Sequence, residues 1–121
     1  MVKTLLIILL MLVSGLGFAQ SGARVGEKAP ALTIDEWLKG EPVTSFENGK
    51  VYIVEFWGTW CGPCIKNIPH LSKLQNEYSD DGLVVIGVAT HEFDGRDALD
   101  KFMKERGSEM EYRVAYDTDY S

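Results

Sequence analysis

One stretch decides the fold of this chain: residues 54–64, which read VEFWGTWCGPC. It joins the end of an apolar run to the chain's only two cysteines, Cys61 and Cys64. The two lie close enough along the chain to form a disulfide and to break it again. A Cys-x-x-Cys pair beside a strand–helix–strand pattern indicates redox chemistry. A structural cross-link is less consistent with this spacing, because closing so small a loop gains little stability.

The segments around this stretch alternate between two kinds of apolar pattern. The nearly continuous β-branched and aromatic run Val51–Trp57 predicts a strand covered on both faces. A helix is expected over Pro63–Tyr78, with Pro63 in its first turn and a kink at Pro69. Its predicted apolar stripe comprises Ile65, Ile68, Leu71, Leu74 and Tyr78.

The same alternation continues toward the end of the chain. A second buried strand is predicted over Leu83–Ala89, a second helix over Asp94–Arg106 and a third strand over Tyr112–Tyr116. The second helix is expected to turn Ala98, Leu99, Phe102 and Met103 inward. Strand, helix, strand, helix, strand predicts an α/β fold with a parallel sheet and right-handed crossovers. Upstream, the patterns favour a short edge strand within Ala29–Asp35 and one helical turn at Glu36–Gly40.

The first residues have the features of a secretory signal peptide. Lys3 precedes the unbroken apolar run Leu5–Val13, and Gly17-Phe18-Ala19 offers small residues where a signal peptidase cuts. We expect a signal peptide over 1–19, a flexible lead-in over 20–28 and one domain over 29–121. An uncleaved membrane anchor is the alternative, although the apolar core is short for a span.

Charge narrows the classes of partner. The formal net charge is −6, and removing Lys3 with the leader makes it −7. A mildly acidic chain argues against nucleic acid and against anionic membrane surfaces as partners. Membrane contact is expected only if the N-terminal segment stays attached.

The two cysteines are expected to divide the chemistry between them. Cys61 lies just ahead of the predicted helix, where unpaired N–H groups and the helix dipole favour a thiolate and lower the thiol pKa. Cys64 lies one turn inside and is expected to be more buried. Cys61 would therefore attack a substrate disulfide, and Cys64 would resolve the mixed disulfide. No further cofactor is expected.

A zinc site is the structural alternative for a Cys-x-x-Cys pair. It would need two more ligands, and the chain offers only His70 and His91 as histidines. His70 lies on the same predicted helix as Cys64, and His91 follows a strand alone. No metal site is expected.

Other residues near the pair are candidates for supporting roles. Glu55 is the only charged residue within Val51–Trp57, and burial would raise its pKa and suit it to move a proton to and from Cys64. The alternative is that the strand twists and Glu55 reaches solvent. Of Trp57 and Trp60, one is expected to pack inside while the other caps the disulfide and contacts partners.

Residues 54–64 resemble the thioredoxin superfamily closely. Glu55 aligns with that family's buried acid, which is Asp in thioredoxin itself, and Pro69 with its helix-kink proline. The lead-in Val25–Pro30 and the amino-acid sequence of residues 56–60 look like those of the exported TlpA/ResA-like branch. The resemblance extends over Val25–Tyr120. The resemblance implies a three-layer α/β/α sandwich in which Gly62 and Pro63, with both tryptophans, support substrate binding.

The same resemblance implies an activity and a location. Members of that branch are periplasmic thiol–disulfide oxidoreductases, usually reductases, which draw electrons from a membrane-embedded donor. Their substrates are protein disulfides such as those of apocytochrome c. The intervening Gly62-Pro63 agrees with a reducing pair. Attachment to the inner membrane, facing the periplasm, is the alternative location.

The sequence departs from the family in one respect. The family places a cis-proline loop opposite the cysteines, within a closing β-hairpin, and then a last helix. No proline follows Pro69, so a C-terminally incomplete domain is expected. A peroxiredoxin-like enzyme fits less well, because Thr59 lies two rather than three residues before Cys61. A non-catalytic binding module with a permanent disulfide is the other alternative.

Overall fold

The computed structural model describes residues 24–90 and 92–118. The predicted signal peptide and His91 lie outside these residues. The described residues 24–30 belong to a unit separate from the rest of the chain. Within its described part, the Glu27 N–H donates to the Arg24 carbonyl at 3.1 Å and closes a turn.

The second unit begins at Ala31 and holds the sheet and the helices. Its strands pair in the order β1-β4-β3-β2. β2, β3 and β4 run parallel, and β1 is antiparallel to β4. The elements, in chain order, are β1 (Glu36–Lys39), β2 (Val51–Trp57), α1 (Gly62–Tyr78), β3 (Leu83–Ala89), α2 (Arg96–Arg106), a short 3₁₀ helix (Gly107–Glu109) and β4 (Arg113–Tyr116).

β3 lies inside the sheet and is buried on both faces. Val84, Ile86 and Val88 belong to one apolar cluster, and Val85 and Ala89 to another. Successive side chains of a strand point to opposite faces, so a strand covered on both sides reads as an unbroken apolar run. The strands predicted over Val51–Trp57 and Leu83–Ala89 are both confirmed at those bounds.

Both helices pack against one face of the sheet. Ile68 and Leu71 of α1 share a cluster with Leu99 of α2, and Phe102 and Met103 pack against it. The chain steps from β2 to β3 to β4 in one direction, so two right-handed crossovers place both helices on the same side. The predicted α/β fold, with parallel strands covered by helices, is confirmed.

The second face is covered by irregular chain that precedes β2. Leu32, Ile34 and Val43 pack there against the β3 side chains that point away from the helices. In the part of the chain that the structure describes, this second cluster contains no helical residue. In the described residues, the layer opposite the two helices is therefore formed by irregular segments.

The strand at the sheet edge corrects two sequence predictions. Ala29–Asp35 is not a strand, and Glu36–Lys39 is not a helical turn but the strand β1. Trp37 packs on the second face and Leu38 on the first. Four residues carry no usable periodicity, and pairing with β4 decides their conformation.

The helix boundaries differ slightly from those predicted. α1 begins at Gly62 and continues through Pro69, while α2 begins at Arg96 rather than Asp94. Tyr78 is 42% exposed and so does not belong to the inward stripe of α1. The side chain lies on the last turn, beyond the part of α1 that meets the buried cluster.

Two side chains hold the segment after α2 in place. The Lys39 ammonium donates to the carbonyls of Gly107 (2.9 Å) and Met110 (2.6 Å). The buried Ser72 hydroxyl bonds the backbone on both sides of Met110, donating at 2.7 Å and accepting at 3.0 Å. The 3₁₀ helix is thereby tied to both β1 and α1.

Candidate active site

The structure joins Cys61 and Cys64 in a disulfide at the start of α1. Their Cα atoms are 5.3 Å apart. Cys61 is the N-cap: its carbonyl accepts from the Ile65 N–H at 3.0 Å, and its Sγ accepts from the Cys64 N–H at 3.4 Å. Pro63 occupies the first turn, where its missing N–H costs nothing. The Cys61 sulfur therefore lies at the positive end of the helix.

The loop ahead of Cys61 presents an aromatic ring to solvent. The Cys61 N–H donates to the Gly58 carbonyl at 3.0 Å and closes a turn. The Trp60 indole lies against Gly58, where a Cβ would collide with its Nε1 atom. Trp60 is 50% exposed, and its ring lies edge-on to Phe93 with centroids 5.1 Å apart.

Trp57 has the opposite environment. It is only 3% exposed and packs on Phe102, with ring centroids 5.2 Å apart. The burial of the two tryptophans thus matches the expected division between an internal and a surface ring. Contact of Trp60 with a partner stays a prediction.

Glu55 is half-buried on the helix-covered face of β2. Burial raises the pKa of its carboxyl group, and a hydrogen bond with Asn67 of α1 partly offsets the rise. Asn67 lies one turn beyond Cys64 on the same helix. Glu55 is therefore connected to the helix that carries both cysteines, and it is neither fully enclosed nor free in solvent.

Two further residues, which no sequence pattern indicated as part of the site, border Glu55. Gly87 of β3 pairs with Glu55, and a Cβ there would lie 3.0 Å from Tyr112 Cε2 and 3.1 Å from Trp57 Nε1. Burial raises the pKa of Tyr112, and the charge of Glu55 raises it further. The Tyr112 hydroxyl and Trp57 Nε1 are buried without a hydrogen-bond partner among residues 24–90 and 92–118. The only sequence signal was Gly87 itself, which interrupts an apolar strand.

The main chain of β2 also approaches Cys64. The Cys64 Sγ lies 4.0 Å from the carbonyl oxygen of Phe56. In the disulfide this sulfur has no proton to donate, whereas the reduced thiol would find an acceptor there. The buried side of the pair therefore faces the strand that carries Glu55.

The loop before Cys61 also contacts the loop after β3, and no sequence pattern predicted this contact. Glu92 accepts from both the N–H and the hydroxyl of Thr59, at 3.0 and 2.5 Å. Thr59 stands two residues before Cys61. Polar residues in two separate loops carry no pattern that would pair them.

The structure describes one of the two histidines considered as zinc ligands. His70 is exposed on α1, and His91 lies outside the described residues. Over the residues the structure covers, no three His, Cys, Asp or Glu side chains are grouped so as to hold a metal ion. In that same part of the chain, no helix has the length and apolarity needed to cross a bilayer.

A family model described as Redoxin matches residues 24–121. The chain therefore belongs to the Redoxin family, within the thioredoxin superfamily.

Individual relatives carry related names. The chain is 30% identical over 120 residues to the thiol-disulfide oxidoreductase ResA of Bacillus thuringiensis subsp. konkukian, covering 92% of this chain and 66% of that protein. It is 36% identical over 72 residues to protein FixW of Rhizobium leguminosarum, covering 60% of this chain and 33% of that protein.

A solved structure is similar at the level of the fold. The thioredoxin domain of a thiol-disulfide oxidoreductase from Bacteroides vulgatus has a TM-score of 0.58 and 30% identity, covering 78% of this chain and 65% of that one. This chain thus spans between a third and about two thirds of the length of these relatives.

Proposed function

We propose that this protein is a thiol–disulfide oxidoreductase that exchanges its Cys61–Cys64 pair with protein substrates. The observation that carries the proposal is the disulfide at the N-terminus of α1, with Cys61 as the N-cap. Relatives named thiol-disulfide oxidoreductases support it. A partly exposed cysteine at a helix N-terminus has the environment that favours a reactive thiolate.

In the reducing direction the exchange takes two steps. The Cys61 thiolate attacks one sulfur of a substrate disulfide, forming a mixed disulfide and releasing the other substrate sulfur as a thiolate. The Cys64 thiolate then attacks Cys61 Sγ and releases the second substrate thiolate. Two electrons pass from the protein pair to the substrate, and the Cys61–Cys64 disulfide remains. The reverse sequence oxidises a dithiol.

We assign Glu55 to the second step. Cys64 must lose its proton before it attacks, and burial raises the pKa of Glu55, which makes this carboxyl group a better proton acceptor than an exposed one. The hydrogen bond with Asn67 directs Glu55 toward the helix that holds Cys64. The exposure of Trp60, next to Cys61 in the chain, supports a role for its ring in contacting the substrate chain.

The cellular setting belongs to the proposal as well. We propose that residues 1–19 direct export, that the protein acts outside the cytosol as a reductase, and that a membrane-embedded donor regenerates its dithiol. Gly62-Pro63 between the cysteines supports the reducing direction, and apocytochrome c is the proposed substrate type.

Mass determination of the mature protein from a periplasmic extract tests the export step, and an intact leader in a soluble fraction would contradict it.

The activity is tested by reduction of insulin disulfides. Cys61→Ser is expected to abolish turnover, and Cys64→Ser is expected to accumulate a mixed disulfide that a non-reducing gel detects. His70→Ala, an exposed change on the same helix, is the matched control and should turn over normally. Turnover retained in Cys61→Ser refutes the proposal. A reduced Cys61 that resists alkylation at neutral pH would indicate the binding-module alternative.

A further inference from the structure

The loop that precedes Cys61 is held from outside by the loop that follows β3. Glu92 receives two hydrogen bonds from Thr59, and the next residue, Phe93, packs against the ring of Trp60. The Thr90 N–H also donates to the Trp57 carbonyl at 3.0 Å. Residues 57–60 therefore contact Thr90, Glu92 and Phe93 at several points.

This contact matters most when the pair is reduced. In the oxidised protein, the bond to Cys64 restrains the Cys61 side chain. When that bond opens, the position of Cys61 at the helix N-terminus depends on the loop ahead of it. Thr59 is joined to Cys61 through a single residue, so fixing Thr59 limits where the Cys61 sulfur can lie.

We propose that Glu92 is a positioning residue for the redox pair. By accepting both hydrogen bonds of Thr59, it keeps Cys61 at the N-terminus of α1 in the dithiol state. There the helix stabilises the thiolate. This inference rests on the proposed thiol–disulfide exchange and adds a residue that acts on Cys61 through Thr59.

The hydrogen bonds that Glu92 accepts and the negative charge that it carries have opposite effects on the stability of the Cys61 thiolate. A nearby negative charge disfavours a thiolate, whereas the ordered loop favours it. Glu92→Ala removes both effects, while Glu92→Gln removes the charge, keeps the Oε1 acceptor for the Thr59 N–H and can donate from its amide to the Thr59 hydroxyl. Thr59→Val removes only the hydroxyl donor, and Thr59→Ser restores it. Asp94→Ala, which deletes an acid from the same loop, is the matched control.

The main readout is the pH profile of Cys61 alkylation by iodoacetamide after mild reduction, with the modified residue located by mass spectrometry. We expect Glu92→Ala and Thr59→Val to react about three-fold or more slowly near neutral pH, with profiles displaced to higher pH. Thr59→Ser, Glu92→Gln and Asp94→Ala should react at least as fast as wild type. The equilibrium with glutathione should move about three-fold toward the disulfide in the two slow variants.

Two results overturn the inference. One is a wild-type alkylation profile in Glu92→Ala and Thr59→Val, even if thermal unfolding shows lower stability, because Glu92 would then be merely structural. The other is faster alkylation in both Glu92 variants, because charge alone would then explain the effect. Alkylation needs no protein substrate, so a protein that fails to reduce insulin but keeps these profiles would refute only the proposed function.

Discussion

Gly87 is the position where one added methyl group tests the packing around Glu55. Gly87→Ala would place its Cβ 3.0 Å from Tyr112 Cε2 and 3.1 Å from Trp57 Nε1. Favourable carbon contacts lie at about 3.5–4.0 Å. The rings are 5% and 3% exposed, and β3 is hydrogen-bonded to a strand on each side. Burial of the rings and pairing of the strand therefore oppose the small movement that would relieve these contacts.

The magnitude follows from two opposing terms. Overpacking a core typically costs about 1–3 kcal/mol. Replacing glycine by alanine returns about 0.4–1 kcal/mol, because the unfolded chain loses freedom. The net destabilisation is then about 1–2 kcal/mol, which for a domain of this size lowers Tm by roughly 5–15 °C.

Thermal unfolding followed by circular dichroism measures the change. Gly62→Ala is the control, because a Cβ at Gly62 meets no atom within 4 Å. Its Tm should equal or slightly exceed the wild-type value. A Gly87→Ala protein that melts within about 2 °C of wild type would show that the rings yield, and the reasoning about this cluster would be refuted.

Three further changes test other contacts. Lys39→Met should lower the free energy of unfolding by about 2 kcal/mol, because two carbonyls lose a charged donor; an unchanged urea midpoint would contradict this. Ser72→Ala should cost about 1–2 kcal/mol and speed hydrogen exchange at the Glu111 amide, whereas equal exchange rates would show that the hydroxyl is dispensable. Glu55→Gln should flatten the pH dependence of stability. Because folding raises the pKa of Glu55, the native state holds the extra proton, and wild-type stability falls as pH rises above the ordinary carboxyl range. Urea unfolding from about pH 4 to about pH 8 measures it, and equal slopes in the two proteins would exclude the effect.

The elements that could be predicted are those whose pattern is long and local. Val51–Trp57 and Leu83–Ala89 were recognisable because burial on both faces leaves an unbroken apolar run. α1 and α2 were recognisable from their three-to-four-residue spacing. β1 was not, because four residues can take either conformation until β4 offers a partner.

The candidate site divides in the same way. Cys61, Cys64 and Glu55 stand out because their side-chain types are chemically unusual where they occur along the chain. Tyr112, Gly87 and Glu92 reach the site from other strands and loops, and nothing in their own neighbourhoods marks them. Their proximity depends on contacts between residues far apart in sequence.

The sequence by itself determined the redox pair, the strand and helix that hold it, and the α/β class, since each depends on residues within a few turns of one another. Only the tertiary structure decided which face both helices cover, which strand forms the edge beside β4, and what surrounds Glu55 and Thr59. Those features arise when strands pair and burial is shared between distant segments. These features are stabilised by contacts between segments far apart in sequence, and no single stretch of chain provides that stabilisation.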